Sequence, residues 1–122
     1  MSYKEKAKNL YGMIGEGKAM DAFEKFYHED VTMIEATGEM RKGKAANREF
    51  EKNWFEGIKE MHGGGVNSIT SDEANGVTMV ETWVDCTFKD GNRVKMEEVA
   101  RQKWEGDQII EERFYYDTKG MG

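Results

Sequence analysis

Residues 77–104 read VTMVETWVDCTFKDGNRVKMEEVARQKW. Apolar and polar residues alternate on both sides of Asp90-Gly91. A type I′ turn needs positive φ at both central residues, and Asp-Gly supplies it, so the stretch reads as a hairpin. Asn75-Gly76 repeats the signal before this hairpin, and Glu105-Gly106-Asp107 follows it. The result is a meander with strands at about 65–74, 77–88, 93–104 and 108–117. Connections this short make the strands antiparallel neighbours.

Side chains alternate across a strand, so parity sorts the two faces. Glu81, Asp85, Lys95, Glu97, Arg101, Lys103, Glu111 and Arg113 fall on an outer face. Val80, Val84, Cys86, Phe88, Val94, Met96, Ala100, Trp104, Ile110, Phe114 and Tyr116 fall on a core face. Glu98, Gln102 and Glu112 interrupt that core face. Polar groups on a buried face need partners or a purpose. Trp83 sits among the outer charges and marks a possible contact with a second copy.

Upstream the period is helical. Tyr3, Ala7, Leu10, Tyr11 and Ile14 share one helix face, and Gly15-Glu16-Gly17 ends it. Ala22, Phe23, Phe26 and Tyr27 mark a second helix. Val31–Glu35 reads as a strand, and Gly38 turns it into a short return strand. Ala46, Phe50, Trp54, Ile58 and Met61 give a third helix, which Gly63-Gly64-Gly65 would end. His62 then lies at a helix end, where the dipole favours its cationic form. Helices first and a meander second predict the α+β class, with three N-terminal helices packed on a strongly curved, mainly antiparallel sheet. One domain is expected over 1–122, with its core at about 4–117.

The chain has 122 residues, enough to bury a core without a disulfide or a metal. Eighteen Lys and Arg against 24 Asp and Glu leave a net charge of −6. That charge disfavours nucleic acid. No apolar run is long enough to span a bilayer, and the charged N-terminus is unlike a secretory signal. Cys86 has no second cysteine to pair with, which fits a cytoplasmic protein. His28, His62 and Cys86 make no metal-ligand pattern, so neither a metal nor a cofactor is expected. Gly12–Ala19 imitates a phosphate-binding loop, but Ala19 lacks the magnesium-binding hydroxyl and no strand precedes the segment. No Gly-x-Ser-x-Gly element supports a serine hydrolase.

Two stretches carry a family resemblance. Met20–Thr32 (MDAFEKFYHEDVT) joins a short helix, an acidic turn and a Val-Thr strand start. Trp104–Phe114 (WEGDQIIEERF) closes the meander. With the order of elements from about Lys4 to Asp117, they resemble the nuclear transport factor 2-like superfamily, in its SnoaL-like and ketosteroid-isomerase-like branch. The resemblance implies a cystatin-like, cone-shaped α+β barrel around a hydrophobic pocket. It also implies positions. Tyr11 falls where the isomerase has its oxyanion-donating tyrosine, and Glu35 where it has its general base. Ala100 falls where the isomerase has a protonated acid, with Glu98 and Gln102 flanking it. Steroid isomerisation itself is therefore not implied, whereas SnoaL-like cyclases share only the carboxylate base and the apolar pocket.

The catalytic candidates are Glu35 and Tyr11. Glu35 has the parity of Val31 and Met33, which points it inward, as a base or as a structural carboxylate bonded to Arg41, Arg48 or a tyrosine; the other reading is a strand-end residue in water. Tyr11 reads as an oxyanion donor or as a core aromatic. Glu98, Gln102 and Glu112 form an inward polar row, either orienting a ligand or bonded to Tyr116 and Arg48. Trp54, Phe88, Trp104, Phe114 and Tyr116 supply candidate pocket walls. The expected function is a small hydrophobic-ligand pocket, as a cofactor-free cyclase, isomerase or dehydratase with a carboxylate base. The alternatives are a non-catalytic ligand-binding domain and an oligomerising domain, and a homodimer through the outer sheet face is expected.

Overall fold

The structure, a computed structural model, describes residues 1–119. Residues 120–122 of the expected domain lie outside that set. Helix α1, Tyr3–Gly15, starts where the Ser2 hydroxyl accepts from the Glu5 amide at 3.1 Å. The Glu73 carboxylate accepts from the Tyr3 and Lys4 amides at 2.8 and 3.1 Å, tying the helix start to the far end of the sheet. Helix α2, Ala19–Phe26, buries Ala22, Phe23 and Phe26. Strand β1 is Tyr27–Ile34, β2 is Met40–Lys42, and helix α3 is Lys44–Glu56. Strands β3 (Ile58–Asp72), β4 (Val77–Phe88), β5 (Arg93–Glu105) and β6 (Gln108–Tyr116) complete the meander.

The sheet order is β2-β1-β6-β5-β4-β3. β1 runs parallel to β6, and every other pair is antiparallel. Three helices on one such sheet give the expected α+β class. The sheet is open, with β2 and β3 at its edges. Leu10, Phe23, Phe26, Val31, Met33, Trp104 and Ile109 form the sealed core where α1 and α2 meet the sheet. Burial of such apolar surface dominates the stability of a domain this size.

The third helix is shorter than its apolar spacing predicts. It stops at Glu56, and the Lys89 amide donates to the Gly57 carbonyl at 2.8 Å, drawing the chain into β3. Ile58 and Met61 are therefore strand residues, paired with Phe88 and Cys86. Gly63-Gly64-Gly65 does not end a helix but lies inside β3. A Cβ on Gly63 or Gly65 would come within 3.0 Å of the Trp83 indole, which lies across the bare backbone. Close approach of a ring is a recognised use of glycine in a strand. His62 likewise sits on β3, with Nε2 2.7 Å from Thr87 Oγ1, and not at a helix end.

One core assignment shifts by a residue. Lys103 pairs with Glu111 while Trp104 pairs with Ile109, leaving Ile110 as the extra residue of a bulge. A bulge reverses parity, so Ile109 is fully buried and Ile110 only half-buried. None of the helices described is long and apolar enough to cross a membrane.

Candidate active site

Strand register lays the inner face out in rows. Arg41, Met33, Glu112, Gln102 and Thr78 are successive partners across β2, β1, β6, β5 and β4. The next row toward the open end holds Phe114, Ala100 and Val80, and the one after it Tyr116, Glu98 and Thr82. α3 lies over these rows. Its inward face is Asn47, Glu51 and Trp54, one residue round from the expected Ala46, Phe50 and Trp54. Asn47 is fully buried and Phe50 is 40 % exposed. The displacement has a cause: the apolar stripe marks the wrong side of a helix whose inner face meets a polar row.

From Glu112 to Thr78 this first row is sealed and bonded within the protein. Trp104 Nε1 donates to Thr78 Oγ1 at 2.9 Å, and Thr78 donates to Gln102 Oε1 at 2.7 Å. Gln102 Nε2 donates to the Tyr11 hydroxyl at 3.0 Å and to Glu112 Oε2 at 2.8 Å. The Tyr27 hydroxyl donates to Glu112 Oε1 at 2.7 Å. Burial pushes the Glu112 carboxyl up to about 8, against the pull of its bonds to Gln102 and Tyr27. Burial also holds the Tyr11 and Tyr27 hydroxyls well above the ordinary tyrosine value, with the Glu112 charge adding to it. Both phenols keep their protons.

The open layer differs. Glu35 accepts from Arg41 Nη2 at 2.5 Å on one oxygen and from the Tyr116 hydroxyl at 2.8 Å on the other. Arg48, the other arginine considered for Glu35, pairs with Glu24 instead. Glu51 and Glu98 are half-buried and accept no hydrogen bond among the described residues. Burial, with the Glu35 charge adding to it, pushes each up to about 7. The nearby Arg41 charge opposes the rise at Glu51. Carboxyls near 7 exchange protons readily at neutral pH.

Of the expected site residues, Tyr11, Gln102 and Glu112 meet in the sealed row, and Glu35 meets Tyr116 in the open layer. Glu98 pairs with Tyr116 in register. Trp54 and Phe88 form an edge-on aromatic pair 6.0 Å apart, with Phe114 half-buried on the inner face. Trp104 is 3 % exposed and packs edge-on against Phe26 at the closed end. Glu51, Tyr27 and Thr78 were not anticipated in the site. The signal for Glu51 was its place between Asn47 and Trp54, at spacings of four and three on one helix face.

Two concavities open on the other side of the sheet. The larger, of about 590 Å³, is lined by Thr70, Asp72, Met79, Arg101 and Lys103 among others. The smaller, of about 170 Å³, is lined by Glu81, Glu97, Glu98, Val99 and Tyr115, so that it touches one of the raised acids. Neither brings together a set of shifted acids like the inner face.

Residues 1–116 match the family described as the SnoaL-like domain. The chain belongs to this SnoaL-like family. A candidate SnoaL-like polyketide cyclase of Mesorhizobium loti is 32 % identical, with 95 % of this chain and 100 % of that chain covered and a TM-score of 0.83. Fold alone is shared with a candidate polyketide cyclase of Pseudomonas putida, at 18 % identity, coverage of 99 % and 96 %, and a TM-score of 0.82. It is also shared with TerC, co-crystallised with polyporic acid, at 13 % identity, coverage of 98 % and 94 %, and a TM-score of 0.76. No curated protein sequence matches. In this SnoaL-like domain the raised carboxyls of Glu51, Glu98 and Glu112 all lie on the inner side of the sheet.

Proposed function

We propose that this SnoaL-like domain is a cofactor-free acid–base enzyme acting on a small hydrophobic carbonyl compound, as a cyclase, isomerase or dehydratase. One observation carries the reading. A carboxylate held by a guanidinium, Glu35, shares the open layer with two carboxyls near 7, Glu51 and Glu98, that accept no hydrogen bond among the described residues. Groups whose environments set them apart in this way divide into base and acid. Glu35 takes a proton from the carbon next to the carbonyl, and Glu51 or Glu98 returns one elsewhere on the ligand. Trp54, Phe88 and Phe114 supply the apolar wall. The co-crystallisation of TerC with polyporic acid supports an organic ligand for this fold.

Glu35→Gln keeps the shape and removes the base. Turnover of a carbonyl substrate should fall by roughly 10²- to 10⁴-fold, the ordinary contribution of a general base. Wild-type-like turnover by this variant would assign the chemistry elsewhere.

The proposal includes a second copy of the chain on the outer face. Arg101, Lys103 and Arg113 lie toward one end of the strands with Glu111 beside them, and Glu81, Glu97 and Asp85 toward the other with Arg93 and Lys95 beside them. Two such faces related by a twofold axis match opposite charges. Met79 and Tyr115 stand exposed among them, at 42 % and 46 %. Light scattering at micromolar concentration should give twice the chain mass; a monomer there removes the dimer from the proposal.

A further inference from the structure

Among the described residues, one buried side-chain polar atom lacks a hydrogen-bond partner: Nη1 of Arg41. The rest of that guanidinium is committed. Nε donates to Asn47 Oδ1 at 3.2 Å, and Nη2 donates to Glu35 Oε2 at 2.5 Å. Its carbon lies 3.5 Å from the centre of the Phe50 ring. These three contacts fix the guanidinium plane, so Nη1 cannot turn to a protein acceptor without breaking one of them. A buried donor left unmet is unfavourable, more so on a charged group, and such atoms concentrate where a ligand or a water belongs.

We infer that Arg41 Nη1 is the donor for an oxygen of the bound ligand, so that the site selects carbonyl compounds by this guanidinium. The inference rests on the acid–base reading above and deepens it. Arg41 is on the inner face, directly across from Met33 and in the row of Glu112. Nη1 and Nη2 branch from one carbon, and Nη2 holds Glu35. An oxygen received by Nη1 therefore lies beside the base, as a carbonyl oxygen lies beside the proton on its neighbouring carbon. The electrons then balance simply. Glu35 takes the proton, the C–H pair becomes a C=C bond, and the C=O π pair moves onto oxygen. A charged, fixed donor stabilises that enolate oxygen more than the starting carbonyl. The Tyr11 hydroxyl lies in the sealed row with Gln102, so the oxygen-binding role passes to Arg41.

Two probes of one shape test this: 2-acetylnaphthalene, and 2-isopropenylnaphthalene, in which a methylene replaces the oxygen. Calorimetric titration of the wild type should show roughly tenfold to hundredfold tighter binding of the ketone, the range for a hydrogen bond to a charged group. Arg41→Lys keeps a positive charge opposite Glu35 but loses the fork, and should bring the two probes within about threefold of each other. Equal binding of both probes by the wild type overturns the role of Arg41 and leaves the pocket intact. Binding of neither overturns the pocket reading and this inference with it. A measurement on the wild type alone stands if Arg41→Lys fails to fold. The carbonyl stretch of ¹³C-labelled 2-acetylnaphthalene should move to lower frequency on binding, and a stretch unchanged from that in hexane overturns the inference.

Discussion

Glu112→Gln should stabilise the protein at pH 8 and leave it nearly unchanged at pH 5. Glu112 is 2 % exposed, and burial raises its carboxyl from 4.5 to about 8. The unfolded chain releases that proton above 4.5, while the folded chain keeps it until about 8. Between these values the folded state binds more protons, so stability falls as pH rises. The contribution is fully present below 4.5 and is lost through about 8. Glutamine resembles the protonated acid and never ionises. Its oxygen can accept from Gln102 Nε2, and its amide can donate to a Tyr27 hydroxyl turned to accept. The variant should therefore gain about 3 to 5 kcal/mol at pH 8, and less than about 1 kcal/mol at pH 5. In melting temperature the gain at pH 8 exceeds about 10 °C.

The wild type should itself melt lower at pH 8 than at pH 5, because Glu51 and Glu98 are raised to about 7 in the same sense. The lowered carboxyls act in a different window. Hydrogen bonds from Arg48, Ser71, Arg93 and Lys6 hold Glu24, Glu73, Asp85 and Asp107 low. Their contributions are present above the unfolded values and disappear only as pH falls through the folded ones. Melting curves of both proteins from pH 5 to 9 check the expectation. A difference between variant and wild type that does not grow with pH contradicts the raised Glu112.

How far the sequence reaches is clearest where period and structure part. Asp90-Gly91 and Asn75-Gly76 placed the turns because glycine chemistry is local, but not their type: among the described residues only the glycines hold positive φ, so Asp90 and Asn75 do not, and neither turn is the expected type I′. Alternation then put Glu98, Gln102 and Glu112 on the inner face. The start of β3 was hidden because Trp54, Ile58 and Met61 keep helical spacing across a helix-to-strand junction, and three irregularities in β3 blur its alternation. Ile109 was hidden by a bulge, which leaves no trace in composition. Glu51 was hidden because an inward face is sought by its apolar residues, and here that face carries a carboxyl. The polar row could be read as a row. Its partners could not, because Tyr11, Tyr27 and Thr78 arrive from three other elements.

Gln102→Leu should cost about 3 to 5 kcal/mol, a large loss for one uncharged side chain. Gln102 is fully buried and is the junction of the sealed row. Leucine fills similar space but forms none of its bonds. Thr78 loses the acceptor for its proton, Glu112 loses a donor at 2.8 Å, and Tyr11 loses one at 3.0 Å. Each abandoned buried group contributes roughly 1–3 kcal/mol. The loss should also deepen at high pH, since the Gln102 bond is what most lowers the Glu112 carboxyl. Removing both partners tests the mechanism. In Gln102→Leu/Glu112→Met the carboxyl is gone and has no bond to miss, so the pair should lose clearly less than the sum of the single changes. Additive losses would mean that the row is packing alone. Coupled losses would make it a rigid polar floor, one whose bonds fix Tyr11 beneath the layer of Glu35, Glu51 and Glu98.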